Sequence, residues 1–157
     1  MRMLFVHAKY FKYASKKEKP LITIRFGKNG VFLKNVLVVF IAVEKYEENI
    51  KLLATKAYEE IVNVLRSIDA RCLALCPYTY LSKNEPSITK TVELLKVLEK
   101  HMKGQRVPVY RVPHRVEFII RPYEHSLAES IKIVDIHSST LSKNIIVHET
   151  LSKRLSS

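Results

Sequence analysis

The sequence predicts an α/β (α+β) fold: one mixed β-sheet with helices packed on it. Three observations predict it. The first is a β-branched run, Asn35 to Val43, too short to span a bilayer and closed by Glu44. The second is a pair of amphipathic helical stripes. The third is a set of short apolar strands between and after them, which gives strand, hairpin, strand, helix, strand, helix, strand, strand, helix.

Residues 2–8 form the first strand, an apolar β run that delivers His7 and then Tyr10 into a loop. A strand this close to Met1 leaves no room for a signal peptide or leader. Ala14 to Pro20 is a charged connection. Leu21–Phe26 alternates apolar and polar residues, Gly27–Gly30 turns, and Val31–Leu33 restarts, so the segment reads as a hairpin with a solvated face. Asn35 to Val43, apolar from Val36 on, is a continuous β-branched run and is expected to be a central strand. From Glu47 to about Ile68, Ile50, Leu53, Ala57, Ile61, Val64 and Ile68 share one helical stripe, with Glu47, Glu48 and Lys51 on the other side. Arg71 to Cys76 is a short apolar strand stopped by Pro77. A second helix follows Pro86 and Ser87, carries Ile88, Val92, Leu95, Leu98 and Met102, and stops at Gly104. Val107–Arg111 and Arg115–Arg121 read as strands paired with each other around Val112-Pro-His114. Ser126 to Val134 reads as a third helix. Residues 135–157 are polar with an apolar patch, either a docked helix or a basic tail.

The 157 residues suit one domain with a sizeable core. The net charge is +12, from 27 Lys+Arg against 15 Asp+Glu. Such a surplus favours a polyanionic partner such as nucleic acid; the alternative is a lysine-rich surface of thermophile type, although glutamate does not balance it here. A peripheral membrane role is disfavoured, because the cations do not line one face of an apolar helix. Cys72 and Cys76 would share a strand face, too far apart for a disulfide. They read as buried reduced thiols of an intracellular, cytoplasmic protein. No glycine-rich nucleotide motif, nucleophile elbow or metal-ligand spacing occurs, so no metal or cofactor is expected.

Three clusters fall where chemistry is often built. They are His7 with Tyr10 and Tyr13; Pro77-Tyr-Thr-Tyr80-Leu-Ser82; and His114-Arg115, followed later by Tyr123, Glu124, His125 and Glu129. Tyr78 and Tyr80 flank Thr79 and either cap the core or line a site. His114 is either a solvent-facing loop residue or part of that site. Lys12, Lys16, Lys17, Lys19, Arg25 and Lys28 form either a solvated face or, with the aromatics beside them, a grip for phosphates and a base.

Four of these motifs in order carry a resemblance. Met1-Arg-x-Leu-x-x-His7-x-x-Tyr10, Val39-Phe-Ile-Ala-Val-Glu-Lys45, Cys76-Pro-Tyr-Thr-Tyr-Leu-Ser82 and His125-x-Leu-Ala-Glu129 together resemble the N-terminal editing domain of archaeal threonyl-tRNA synthetases. The resemblance implies a D-aminoacyl-tRNA deacylase-like fold over residues 1–134, with 135–157 as a C-terminal extension. It also implies hydrolysis of misacylated Ser-tRNA(Thr), since one methyl group gives a synthetase only about 1–3 kcal/mol against serine. In this family the 2′-hydroxyl of the terminal adenosine and main-chain groups do most of the chemistry. The implied partners are the tRNA 3′ end, a separate threonyl-tRNA synthetase and a second copy of the chain, without a membrane. Pro77, Tyr78 and Thr79 match the family's pocket-forming turn, and Val43 and Glu44 its adjacent strand. His7 and Glu129 match as they stand. Tyr80 stands in place of a histidine. The family's Tyr-Tyr-Lys run falls on His114-Arg115-Val116, so valine holds the lysine position unless a one-residue slip brings Arg115 there. The resemblance thus gives His7, Tyr80, Arg115 and Glu129 catalytic orienting roles, and Val43, Glu44, Pro77, Tyr78, Thr79, His114 and Val116 substrate contacts. The rival expectation is a tRNA- or synthetase-binding module that has lost catalysis.

Overall fold

The computed structural model describes residues 1–15, 30–124 and 131–137, together with the backbone of 146–148. Strands β1 (Arg2–Ser15) and β2 (Gly30–Ala42) form a long antiparallel ribbon. Helix α1 (Ile50–Ser67), strand β3 (Cys72–Pro77), a 3-10 turn (Thr79–Leu81), helix α2 (Ile88–His101) and strands β4 (Val109–Arg111), β5 (Val116–Pro122), β6 (Ile131–Asp135) and β7 (Ile146–His148) follow. The sheet order is β4-β3-β2-β1-β6-β7, with β5 joined to β1 beyond β6. The β2–β3 and β3–β4 pairs are parallel, each crossing over through a helix, and the other pairs are antiparallel. The architecture is therefore a mixed sheet with two helices, α+β.

The apolar run of β2 is buried on both faces because each face has its own core. On one side Met3, Phe5, Leu37, Val39, Ile41 and Leu75 meet α1 and α2. On the other, Phe11, Tyr13, Leu33, Val38, Phe40 and Cys76 pack together. Helix α1 begins where the Asn49 side chain accepts a hydrogen bond from the Leu52 N–H, and α2 where Ser87 does the same for Lys90. Past the end of α2, Gly104 takes φ +99, the left-handed turn that favours glycine.

Strict alternation along β1 and β2 would keep one face constant. Instead Ala8 and Phe11, three residues apart, both enter the second core, as do Leu33 and Val36. Each strand slips phase by one residue at Lys9 and Asn35, where Asn35 adopts φ +49. Both strands slip together, so pairing resumes at Tyr10 with Lys34. The ribbon bends at this double irregularity. Phe40 pairs with Leu4 and Phe118 with Tyr13, nine residues further along β1, which on a straight strand is roughly 30 Å. Yet the two rings lie 5.3 Å apart. The far half of the ribbon, carrying β5, has folded back over the second core.

Several expectations are corrected. The 31–33 and 35–43 segments are one strand, because the irregularity at Asn35 bends the chain without ending the pairing. β4 and β5 do not pair with each other: β4 joins β3 and β5 joins β1, and the intervening 112–115 segment crosses from one to the other. The third helix fails over 131–134, which is strand β6 beside β1. Its pairing with β1 decides the structure, since helical spacing over so short a window is a weak signal. The apolar patch after 135 supplies β7, which pairs with β6 rather than forming a helix. Glu47, expected on the solvated side of α1, is fully buried, its Oε1 2.6 Å from the Met1 ammonium. The 21–29 part of the hairpin and 126–130 lie outside the described residues.

Candidate functional site

β3 ends at Pro77 and the chain enters a tight turn. The Tyr78 N–H donates to the Ile41 carbonyl at 2.9 Å, and the Thr79–Leu81 turn closes with the Ser82 N–H donating to the Thr79 carbonyl at 3.0 Å. The Tyr78 ring packs against Phe40 and Phe118, and Tyr80 packs edgewise on Tyr78 with centroids 5.5 Å apart. Tyr80 itself is 87% exposed. Facing this turn is the entry to β5, brought there by the folded ribbon. Between the two lies a cleft of about 570 Å³, walled by Pro77–Tyr80 on one side and by His114–Phe118 on the other, with Cys76 and Ile88 completing it. That volume lies within the range of small-molecule sites.

Arg115, at the rim, is solvent-exposed and takes φ +62. A left-handed non-glycine residue costs of order 1–2 kcal/mol, so packing around the 112–116 turn must hold it. At the back of the cleft, burial pushes the Cys76 thiol up to about 12. Tyr13 behind it is also raised, first by burial and then by Cys76 and Tyr110. These groups stay protonated at neutral pH and form an apolar back wall.

A polar network fixes the turn from behind. Glu44, 4% exposed, accepts from the Ser82 hydroxyl at 2.6 Å and from the Lys83 N–H at 3.1 Å. Its own N–H donates to Glu47 Oε2 at 3.1 Å. Lys83 Nζ reaches Asp135 Oδ2 at 3.0 Å, and Arg2 Nε donates to Asp135 Oδ1 at 2.8 Å. The Ser87 N–H donates to the Val43 carbonyl at 2.9 Å. The Thr91 hydroxyl accepts from the Val43 N–H at 3.0 Å and donates to the Ser87 carbonyl at 2.7 Å. The segment from 82 to 87 is thereby clipped to the end of β2 and to β6.

Of the residues singled out from sequence, Pro77, Tyr78, Thr79, Tyr80, His114, Arg115 and Val116 meet around this one cleft. Val43 and Glu44 stand behind it as supports. His7 is elsewhere. It aligns through Leu37 with Leu73, four residues before Pro77; its Nε2 lies 2.8 Å from Asn35 Oδ1 and its ring 4.5 Å from that of Tyr123. Glu129 lies outside the described residues. Sequence reasoning missed Phe118, Glu117, Ile88 and Cys76 as lining groups. Phe118 carried a signal, a lone aromatic in an alternating strand, but its destination depended on the fold-back. Among the described residues no group of three or more acidic, histidine or cysteine side chains is placed to hold a metal, and no helix is long and apolar enough to cross a membrane.

Residues 1–134 match the family model described as the archaea-specific editing domain of threonyl-tRNA synthetase. The chain belongs to that family. Among curated relatives, the Threonine--tRNA ligase of Staphylothermus marinus is 34% identical over 142 residues, covering 87% of this chain and 23% of that protein. The Threonine--tRNA ligase editing subunit of Saccharolobus solfataricus is 33% identical over 132 residues, covering 82% of this chain and 33% of that protein. The chain thus spans about a quarter to a third of the length of these relatives. The solved structure of the c-Myc DNA Unwinding Element Binding Protein is similar at TM-score 0.43 and 9% identity, covering 77% of this chain and 91% of that one. In this chain the Pro77-Tyr78-Thr79 turn and the His114–Val116 segment, far apart in sequence, face each other across one opening.

Proposed function

We propose that this chain hydrolyses misacylated tRNA, with Ser-tRNA(Thr) as substrate. The observation that carries the reading is the cleft itself: in a member of the editing-domain family, the turn after β3 and the start of β5 converge on a space that fits an adenosine and a small aminoacyl group. The terminal adenosine stacks toward Tyr78 and Tyr80, since aromatic faces accept unpaired bases. The main chain of the 78–80 turn, anchored by the Tyr78 N–H on the Ile41 carbonyl, faces the ester. Arg115 at the rim is placed to attract the phosphate. Water attacks the ester carbonyl, the bond to the ribose oxygen breaks, and serine leaves from the intact tRNA. The adenosine 2′-hydroxyl, donor and acceptor beside the ester, serves the proton transfer.

Deacylation of Ser-tRNA(Thr) tests this directly. The expected result is hydrolysis that falls steeply when the terminal adenosine lacks its 2′-hydroxyl. Equal rates on the two substrates contradict the mechanism.

Val116 and Tyr80, which replace the lysine and histidine of the family pattern, favour a second reading as a tRNA- or synthetase-binding module without catalysis. Under it, wild-type protein binds tRNA in a salt-dependent way and hydrolyses nothing. The double variant Tyr80→His, Val116→Lys then gains activity.

A further inference from the structure

The bent ribbon has a second, outward face that the cleft does not use. Beyond the irregularity at Lys9 and Asn35, Phe11, Tyr13 and Leu33 point into the core, with Phe118 and Ile120 packed against it. Alternation therefore turns their neighbours outward. Two cross-strand rows result. Lys34, Tyr10 and Arg121 are aligned in one, and Phe32, Lys12 and Ile119 in the next. Three cations, two aromatic rings and one aliphatic side chain so occupy one face of a three-stranded antiparallel sheet. Lys34 Nζ lies 5.7 Å from the Phe32 ring centre, and the Tyr10 and Phe32 rings are 5.8 Å apart. Ile119 is 45% exposed. Glu124 sets a carboxylate against this face, 2.7 Å from Arg121 Nη2.

We propose that this face is an RNA-binding surface that engages the body of the tRNA while the cleft holds its 3′ end. Aromatic rings on an open sheet, flanked by cations, suit single-stranded or distorted RNA: the rings accept base faces and the cations accept phosphates. The face and the cleft share β5. Phe118 lines the cleft, and Ile119 and Arg121 follow on the same strand with their side chains on its other face. The inference rests on the proposed tRNA substrate and adds a second point of attachment to it.

The test is binding of uncharged tRNA(Thr) across a salt series by the 157-residue wild type and by two surface variants. Lys12→Gln, Lys34→Gln, Arg121→Gln removes three cations. Tyr10→Ala, Phe32→Ala removes both rings. The expected result for the first is a logarithmic salt slope smaller by about 0.7–0.9 for each phosphate that the variant no longer neutralises. For the second it is roughly tenfold or greater weakening with an unchanged slope. Hydrolysis of 3′-seryl-adenosine, which reaches only the cleft, is expected to match wild type in both, and thermal melting shows that the variants are folded. Wild-type affinity and slope in both variants overturn the proposal, as does failure of wild type to bind tRNA(Thr). Failure of wild type to hydrolyse either the small substrate or Ser-tRNA(Thr), with tRNA binding intact, instead removes the cleft reading and leaves this surface standing.

Discussion

Replacing Glu44 by alanine is expected to loosen the wall of the cleft without touching its lining. The Glu44 carboxylate is almost fully buried and accepts two hydrogen bonds, from the Ser82 hydroxyl and the Lys83 N–H. A hydrogen bond to a charged group contributes roughly 1.5–3 kcal/mol. Ser82 is only partly buried and Lys83 is exposed, so water replaces part of each bond in the variant. The expected net loss is about 2–3 kcal/mol, or roughly 4–12 °C in the melting temperature of a domain this size. Glu44→Gln keeps an acceptor oxygen and is expected to lose about half as much. Thermal melting gives the global figure, and hydrogen exchange gives the local one: amides of 79–83 are expected to exchange faster in Glu44→Ala, with those of α1 changing only by the global loss. If Glu44→Ala melts within a degree of wild type and 79–83 exchange as before, the network does not hold the turn and the reasoning is wrong.

Tyr78 and Tyr80 are expected to separate stability from binding. Tyr78→Ala removes a ring packed on Phe40 and Phe118 and is expected to cost about 2–4 kcal/mol by melting. Tyr80→Ala, at an exposed ring, is expected to change stability by less than about 0.5 kcal/mol while raising KM for aminoacyl-tRNA several-fold. Arg115→Gly keeps the left-handed turn and removes the guanidinium. Relief of about 1–2 kcal/mol of strain is offset by about 0.5–1 kcal/mol of glycine entropy, so melting stays within a few degrees while affinity for tRNA falls. For Cys76, whose folded thiol is pushed up to about 12, the unfolded thiol ionises first, near 9. Its contribution to stability is therefore complete below pH 9 and is lost as pH rises from 9 through 12. Denaturant unfolding at pH 8 and pH 10.5 is expected to show a smaller alkaline loss in Cys76→Ala than in wild type.

The helices and the central strand are legible in the sequence because their signals are local. The Ile50–Ile68 stripe and the Ser87 cap need no knowledge of the rest of the chain. The pairing of β5 is not legible, since Val116–Pro122 seeks a partner by alternation alone, and nearby β4 satisfies that as well as distant β1. Residues 131–134 mislead for a related reason: four residues carry too little periodicity to separate a strand from a helical turn. In the site, motifs mark the turn after Pro77 and the His114–Val116 segment. They do not mark the fold-back that joins the two, because a phase slip at Lys9 and Asn35 leaves no compositional trace. The motif order makes Glu44 a substrate contact; its burial and its bonds to Ser82 and Lys83 make it a support. His7 shares that motif order but sits beside Asn35 and Tyr123 instead.

The most direct test of the cleft is hydrogen-exchange protection on adding a non-hydrolysable 3′-serylamino-adenosine. The expected footprint is joint protection of 77–81 and 114–118, with 2–7 and α1 unchanged. Protection confined to one of the two segments, or found beside His7, would contradict the claim that both walls close on one ligand.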